Sequence, residues 1–329
     1  MSDGKPILRI RNLSKNFTIK SSKLFGKPQL LHALNDVSLD LYAGETLGVI
    51  GESGCGKSTL GRTVIQLHSP SSGVVEYEGR NIFEMQGEEL KNLRKDIQIV
   101  FQDPFSSLDP RMTCGKLIEE PLIVHNLEPD KAKREKIVLD LMHEVGLDIQ
   151  HVNRYPHEFS GGQRQRINIA RALSMSPKII VCDEPVSALD VSIQAQVLNL
   201  FNRLQKERGL AYIFISHDLS VVKHVSDRIA IMYLGRVVEL CDAEDIYANP
   251  CHPYTKALLS SIPPDSPFEK KERILLKGEI PSPIGDQIGC PLAGRCPHCT
   301  ERCMKETPVL SDIGNDHSVA CFLYEEKQA

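Results

Sequence analysis

No stretch of this 329-residue chain stays apolar for the ~18 residues that a bilayer-crossing helix needs. If the chain serves a membrane, it does so through a partner. Met1–Pro6 lacks the apolar segment of a secretory signal, so the expected location is the cytoplasm. An excess of positive charge is missing too: 39 Lys and Arg stand against 43 Asp and Glu, a net charge of −4. Without a basic patch, nothing marks a nucleic-acid binder. Long heptad helices are also lacking. What remains is an ordinary globular balance, 41% hydrophobic and 25% charged, with room for a large core and roughly two domains.

The strongest signal is Gly51-Glu52-Ser53-Gly54-Cys55-Gly56-Lys57-Ser58-Thr59. It fits G-x-x-x-x-G-K-[ST], the loop that wraps backbone N–H groups around a β-phosphate. A strand-like run, Thr46–Ile50, precedes it. After it, Leu60, Val64 and Leu67 recur at helical spacing. A helix placed there points its positive end at the same anion. Lys57 would reach the β- and γ-phosphates, and the Ser58 hydroxyl would ligate Mg²⁺.

Taken in order, residues 7–19 and 37–42 read as strands, with Val37, Leu39 and Leu41 alternating against polar neighbours. The polar stretch 21–29 reads as a hairpin loop. Phe17 has two readings of equal weight, a core ring or a ring stacked on a nucleotide base. Residues 73–79 and 97–101 are further strands, and Gln102 follows where α/β sheets place ligands. From Asp103 the composition turns helical, with Ile137, Leu141 and Val145 in register, which suggests a helical insertion. Phe159-Ser160-Gly161-Gly162-Gln163 then offers an N-cap serine and two glycines at a helix start, a second anion site. The same residues also suit an ordinary glycine turn.

Residues 178–184 form an apolar run ending in Asp183 and Glu184. Two acids at a buried strand's end are costly unless they act. Asp183 would hold Mg²⁺ through water, and Glu184 would polarise an attacking water. A helix carrying Val197, Leu200, Phe201 and Leu204 on one face follows. The run 211–215 closes on Ser216-His217-Asp218, and His217 would share that sheet edge. A hairpin turning at Leu234-Gly235 comes next. Beyond about Asn249 proline is frequent and the chain reads as an irregular extension. Five of the ten cysteines crowd into it: Cys290, Cys296, Cys299, Cys303 and Cys321. Clustered cysteines in a cytosolic chain point to a metal site more than to disulfides. Cys290, Cys296, Cys303 and Cys321 suit either [4Fe–4S] or Zn²⁺.

Over roughly 1–250 these residues resemble the nucleotide-binding subunit of an ATP-binding-cassette transporter. The likeness rests on the phosphate loop, Gln102, the signature at 160–163, Asp183-Glu184, the loop 187–190 and His217. Phe101–Met112, His252–Leu258 and the tail cysteines narrow it to the oligopeptide/dipeptide permease branch, nearer its second ATPase than its first. The resemblance implies an α/β, RecA-like P-loop NTPase core at 1–250 with an antiparallel β subdomain and an inserted helical subdomain at about 103–172. A small Cys-rich extension, 251–329, follows. It implies Mg²⁺ held by Ser58, Gln102 and Asp183, with Glu184, Gln102 and His217 catalytic. Phe17, residues Ser53–Thr59, Gln102 and Asp183 would hold ATP, capped by Ser160, Gly161, Gly162 and Gln163 of a second copy. The resemblance favours iron–sulfur on the outer four cysteines, with Cys299 departing from the branch's pattern. The implied partners are a second ATPase, identical or not, two membrane permease subunits and, indirectly, an extracytoplasmic peptide-binding protein. The implied place is the cytoplasmic face of the membrane. The solute is open between dipeptide, oligopeptide, nickel and others. Two further classes compete: a soluble cassette ATPase acting on nucleic acid or ribosomes, and an iron–sulfur redox sensor.

Overall fold

The computed structural model describes residues 4–19, 28–262, 272–285 and 287–325. The first strands, β1 (Leu8–Ile19) and β2 (Gln29–Leu41), pair antiparallel. Val37, Leu39 and Leu41 are all buried, as their alternation requires. The strand β2 begins at Gln29, earlier than the pattern indicated, and most of the loop expected at 21–29 lies outside the described residues. After β3 (Thr46–Ile50) and α1 (Lys57–Val64), strands β4 (Ser72–Tyr77) and β5 (Arg80–Asn81) complete a four-stranded sheet ordered β2-β1-β4-β5. This is the expected antiparallel β subdomain. One helical expectation fails here: α1 stops at Val64, and Leu67 is 58% exposed. The amides of Gln66, Leu67 and His68 bond back to carbonyls at 62 and 63, so the chain has already turned off the helix.

The second sheet carries the site. Helix α2 (Gly87–Asp96) leads into β6 (Ile97–Val100). Helices α3 (Cys114–Val124), α4 (Lys131–Glu144) and α5 (Gly161–Leu173) then pack together before the chain returns as β7 (Ile179–Asp183). Helix α6 (Val191–Arg208) buries Val197, Leu200, Phe201 and Leu204 and leads to β8 (Ala211–Ser216). Helix α7 (Leu219–Val225) is followed by the hairpin β9 (Arg228–Tyr233) and β10 (Arg236–Asp242). In space β9, β3, β8, β7 and β6 lie side by side, all parallel. Strands β3, β7 and β8 are buried at every position, so they read as continuous apolar runs. Each fully buried aliphatic side chain there contributes on the order of 2 kcal/mol.

The extension continues the same sheet. After α8 (Ala243–Ala248) and α9 (Pro253–Ser260), it places α10 (Glu301–Lys305), β11 (Ser311–Asp312) and β12 (Ser318–Val319), and β12 pairs with β10. The described part of this proline-rich segment is thus anchored to the core. Glu239 on β10 is the anchor's chemical centre. It is fully buried; its Oε1 lies 2.7 Å from His317 Nε2, and it accepts from the backbone N–H groups of Cys251 and His252. Burial opposes its charge, but the His317 bond and the two amides outweigh burial and hold the carboxyl below its ordinary value. Removing one partner of such a buried pair strands the rest. Glu239→Ala should therefore cost about 3 kcal/mol in urea unfolding. The variant should also become protease-sensitive beyond residue 250. A denaturation midpoint equal to that of the parent would contradict this anchoring.

Candidate functional site

Parallel strands end on one edge, and this sheet uses that edge fully. The phosphate loop follows β3, Gln102 lies just past β6, Asp183 and Glu184 close β7, and His217 follows β8. Two glycines fix the loop's path. A Cβ on Gly51 would stand 2.2 Å from the Met232 carbonyl oxygen. Gly56 caps α1 with φ +107°, and a Cβ there would stand 2.2 Å from Ala33 O. Lys57 is buried, and its Nζ donates to Gly51 O at 2.7 Å and Glu52 O at 3.1 Å. Ser53 and Gly54 are exposed at the loop's crest. The Cys55 thiol is buried beside Lys57, and burial pushes it above its ordinary value. Thr59 lies in the first turn of α1, and its carbonyl accepts from Thr63 Oγ1.

Beneath the loop, Ser58 Oγ donates to Asp183 Oδ1 at 2.7 Å, and Arg62 Nη2 lies 3.5 Å from Asp183 Oδ2. Asp183 is 1% exposed. Mg²⁺–oxygen bonds of 2.0–2.1 Å put neighbouring ligands about 2.9 Å apart, so this oxygen pair fits one edge of a magnesium octahedron. Glu184 has φ +49°, a left-handed conformation rare outside glycine. Its Oε2 accepts from Gln102 Nε2 at 3.0 Å and lies 3.0 Å from His217 Nδ1. The structure thus brings Gln102 to Glu184 rather than to the Ser58–Asp183 pair. The segment after Gln102 is tied to α5: the Phe105 ring lies 3.6 Å from Arg164 Cζ, and Ser107 O accepts from Arg171.

Phe17 belongs to neither core cluster. It is half-buried, edge-on to His68, with Lys15 Nζ 5.0 Å from its centroid. Ser160 caps α5: its Oγ accepts from Gln163 N, and Gln163 Oε1 accepts from Ser160 N. Gly162 is required, because a Cβ would stand 2.3 Å from Ile193. Among the described residues, no hydrogen bond or ion pair joins 160–163 to the phosphate loop of the same chain.

Cys290, Cys296 and Cys321 are half-buried with Cys303, and each of the three thiols is raised by burial first and by neighbouring cysteines second. Burial and those neighbours take Cys290 up to about 11. Tetrahedral zinc with Zn–S bonds of 2.3 Å needs sulfurs about 3.8 Å apart. No three of these thiols lie within 4.8 Å of one another. Glu239, Cys251 and His317 do approach that closely, but both Glu239 oxygens are already engaged.

Sequence reasoning missed Arg62, Tyr254 and Arg295, which the fold brings to the loop or to Asp183. Tyr254 Oη accepts from the Glu52 N–H at 2.9 Å, and Arg295 Nη1 lies 3.1 Å from Glu52 Oε2. Tyr254 and Arg295 left a trace, each inside a stretch that narrows the resemblance without being given a role.

Residues 34–187 match the family model "ABC transporter", and residues 238–303 match "Oligopeptide/dipeptide transporter, C-terminal region". The oligopeptide transport ATP-binding protein AppF of Bacillus subtilis is 51% identical over 326 residues, 98% of this chain and 99% of the relative. This chain belongs to the oligopeptide/dipeptide family of ABC transporter ATP-binding proteins. Within that family, OppF of Escherichia coli is 51% identical over 97% of this chain and 96% of its own length. Among solved structures, an ATP-binding cassette dimer in a post-hydrolysis state with ADP and Pi aligns with TM-score 0.64 at 29% identity. It covers 72% of this chain and 98% of its own. The cbiO1 protein of Clostridium perfringens aligns with TM-score 0.64 at 27% identity, covering 75% and 92%.

Lys57→Ala removes the loop's one buried cation and its two carbonyl contacts. Charge-assisted hydrogen bonds contribute about 1.5–3 kcal/mol, so the dissociation constant for Mg-ATP should rise by roughly tenfold or more. Unchanged binding in calorimetric titration would remove Lys57 from the site.

Proposed function

We propose that this chain is the ATP-hydrolysing subunit of an importer for dipeptides or oligopeptides. The carrying observation is the shared Glu184 Oε2, held by Gln102 from β6 and His217 from β8. That grip leaves Oε1 to take up a proton from an attacking water. The loop residues Ser53–Thr59 wrap the phosphates, Lys57 turns from its carbonyl partners to the γ-phosphate, and Phe17 stacks on the base. Mg²⁺ would be held by Ser58 and Asp183, with Gln102 turning from Glu184 to join them, and would neutralise phosphate charge. In-line attack then transfers the phosphoryl group to water, with His217 next to the oxygens that gain charge.

Two copies, or this chain and a similar ATPase, would meet head to tail. Ser160, Gly161, Gly162 and Gln163 of one would cap the nucleotide of the other. Among the described residues that turn makes no hydrogen bond or ion pair with the chain's own loop, which leaves it free to serve another copy. Residues 1–250 would form the nucleotide-binding domain, with the helical block 103–172 facing the membrane subunits. Gln102 reports the γ-phosphate, and Phe105–Arg164 and Ser107–Arg171 pass its displacement to α5. This chain would sit at the cytoplasmic face of the membrane against two integral permease subunits, with a peptide-binding protein outside. In the extension, 251–329, the Cys290, Cys296, Cys303 and Cys321 set would hold a [4Fe–4S] cluster as a structural staple.

Two measurements test this. Glu184→Gln should bind ATP, lose at least about 100-fold in turnover and elute as a dimer with ATP present. Near-normal turnover would take Glu184 out of its role. Purified under argon, the protein should absorb in the visible and carry about four iron atoms per chain, both lost in Cys290→Ser. Zinc without iron would overturn the cluster assignment.

A further inference from the structure

Among the described residues, the hydrogen bonds and ion pair from the extension to the phosphate loop meet at Glu52, the second residue of the motif. Its carboxylate Oε2 lies 3.1 Å from Arg295 Nη1, and its N–H donates to Tyr254 Oη at 2.9 Å. The same Arg295 nitrogen donates to Tyr233 Oη at 3.2 Å, and the guanidinium lies 5.9 Å from the Tyr233 ring centroid. The Tyr233 and Tyr254 rings pack 4.6 Å apart, and both are buried. Arg295 exposes 10% of its side chain and Glu52 27%, so the pair is largely shielded from water.

Arg295 is firmly held. Its N–H donates to Leu292 O, and Leu292 is buried in the main core. Further along the extension, β12 pairs with β10, and His317 bonds Glu239. A cation from position 295 is thus delivered to position 52, 243 residues away.

Electrostatics says why this matters. A phosphate loop exists to receive a strongly anionic group, and Glu52 puts a carboxylate inside it. The carbonyls of Gly51 and Glu52 also receive Lys57 Nζ, so the conformation at 51–52 sets where that ammonium rests. Left unpaired, the carboxylate would repel the incoming phosphates.

We propose that Arg295 is a positioning residue of the nucleotide site: it cancels the Glu52 charge and, with Tyr254, holds the loop's entry turn ready for a polyphosphate. The proposal rests on the reading of this loop as an ATP site. It gives the C-terminal extension a role in nucleotide affinity without any contact to the nucleotide.

The test is calorimetric titration of the full-length chain with Mg-ADP and Mg-ATP, which needs neither turnover nor membrane partners. Arg295→Ala should weaken both by about fivefold, the effect of one uncancelled charge several ångströms from the phosphates. Arg295→Lys should restore most of the loss. Glu52→Gln alone should bind within about twofold of the parent, and Arg295→Ala combined with Glu52→Gln should return to that level. A packing role alone would leave the double variant as weak as Arg295→Ala. Should Arg295→Ala fail to fold, Arg295→Met keeps the buried stem and is read the same way. Parent-like affinity in Arg295→Ala or Arg295→Met, or no rescue by Glu52→Gln, overturns the proposal. A parent protein that binds neither nucleotide overturns the ATP-site reading itself.

Discussion

Everything here depends on parallel strands releasing their chains at one edge. Strands β3, β6, β7 and β8 run the same way because each returns through a helical crossover. Their carboxyl ends then deliver a lysine loop, a glutamine, two acids and a histidine to one line. No single crossover could gather these groups. The buried sheet holds them still: β3, β7 and β8 each lie between two strands, and β6 closes the edge against β7. The strain at Glu184, φ +49°, is tolerable only on such a base.

The same geometry separates jobs that must move from jobs that must not. Lys57, Ser58 and Asp183 sit on rigid elements and are buried or half-buried. Gln102 and His217 are exposed and meet at one carboxylate oxygen. The signature turn sits at the head of α5, whose Arg164 and Arg171 grip the segment after Gln102. On the proposed reading, a change at the γ-phosphate would reach the helical block through these two side-chain contacts, beside the core packing of Leu108.

Much of this was legible in the residues themselves. The phosphate loop, the acids at 183–184 and the Ser160 cap all follow from local spacing and capping chemistry. The core faces of β2 and α6 follow from periods of 2 and 3.6. Leu67 misled because periodicity does not register where a helix is unwound by its own backbone turn. Phe17 stayed ambiguous because a half-buried ring and a core ring look alike in one dimension. The roles of Arg62, Tyr254 and Arg295 were invisible for a different reason. Their partners lie across the fold, and an arginine's worth depends on which carboxylate the topology puts beside it. The spacing of the tail cysteines left zinc and iron–sulfur both open, because four thiolates suit either.

A structure of the Glu184→Gln protein with Mg-ATP tests the central claim most directly. It should show two chains, with each γ-phosphate between Lys57 of one and the Ser160–Gln163 turn of the other, and Gln102 and His217 at the γ-phosphate's edge. A bound triphosphate whose only protein contacts come from one chain, with every 160–163 turn facing solvent, would contradict it.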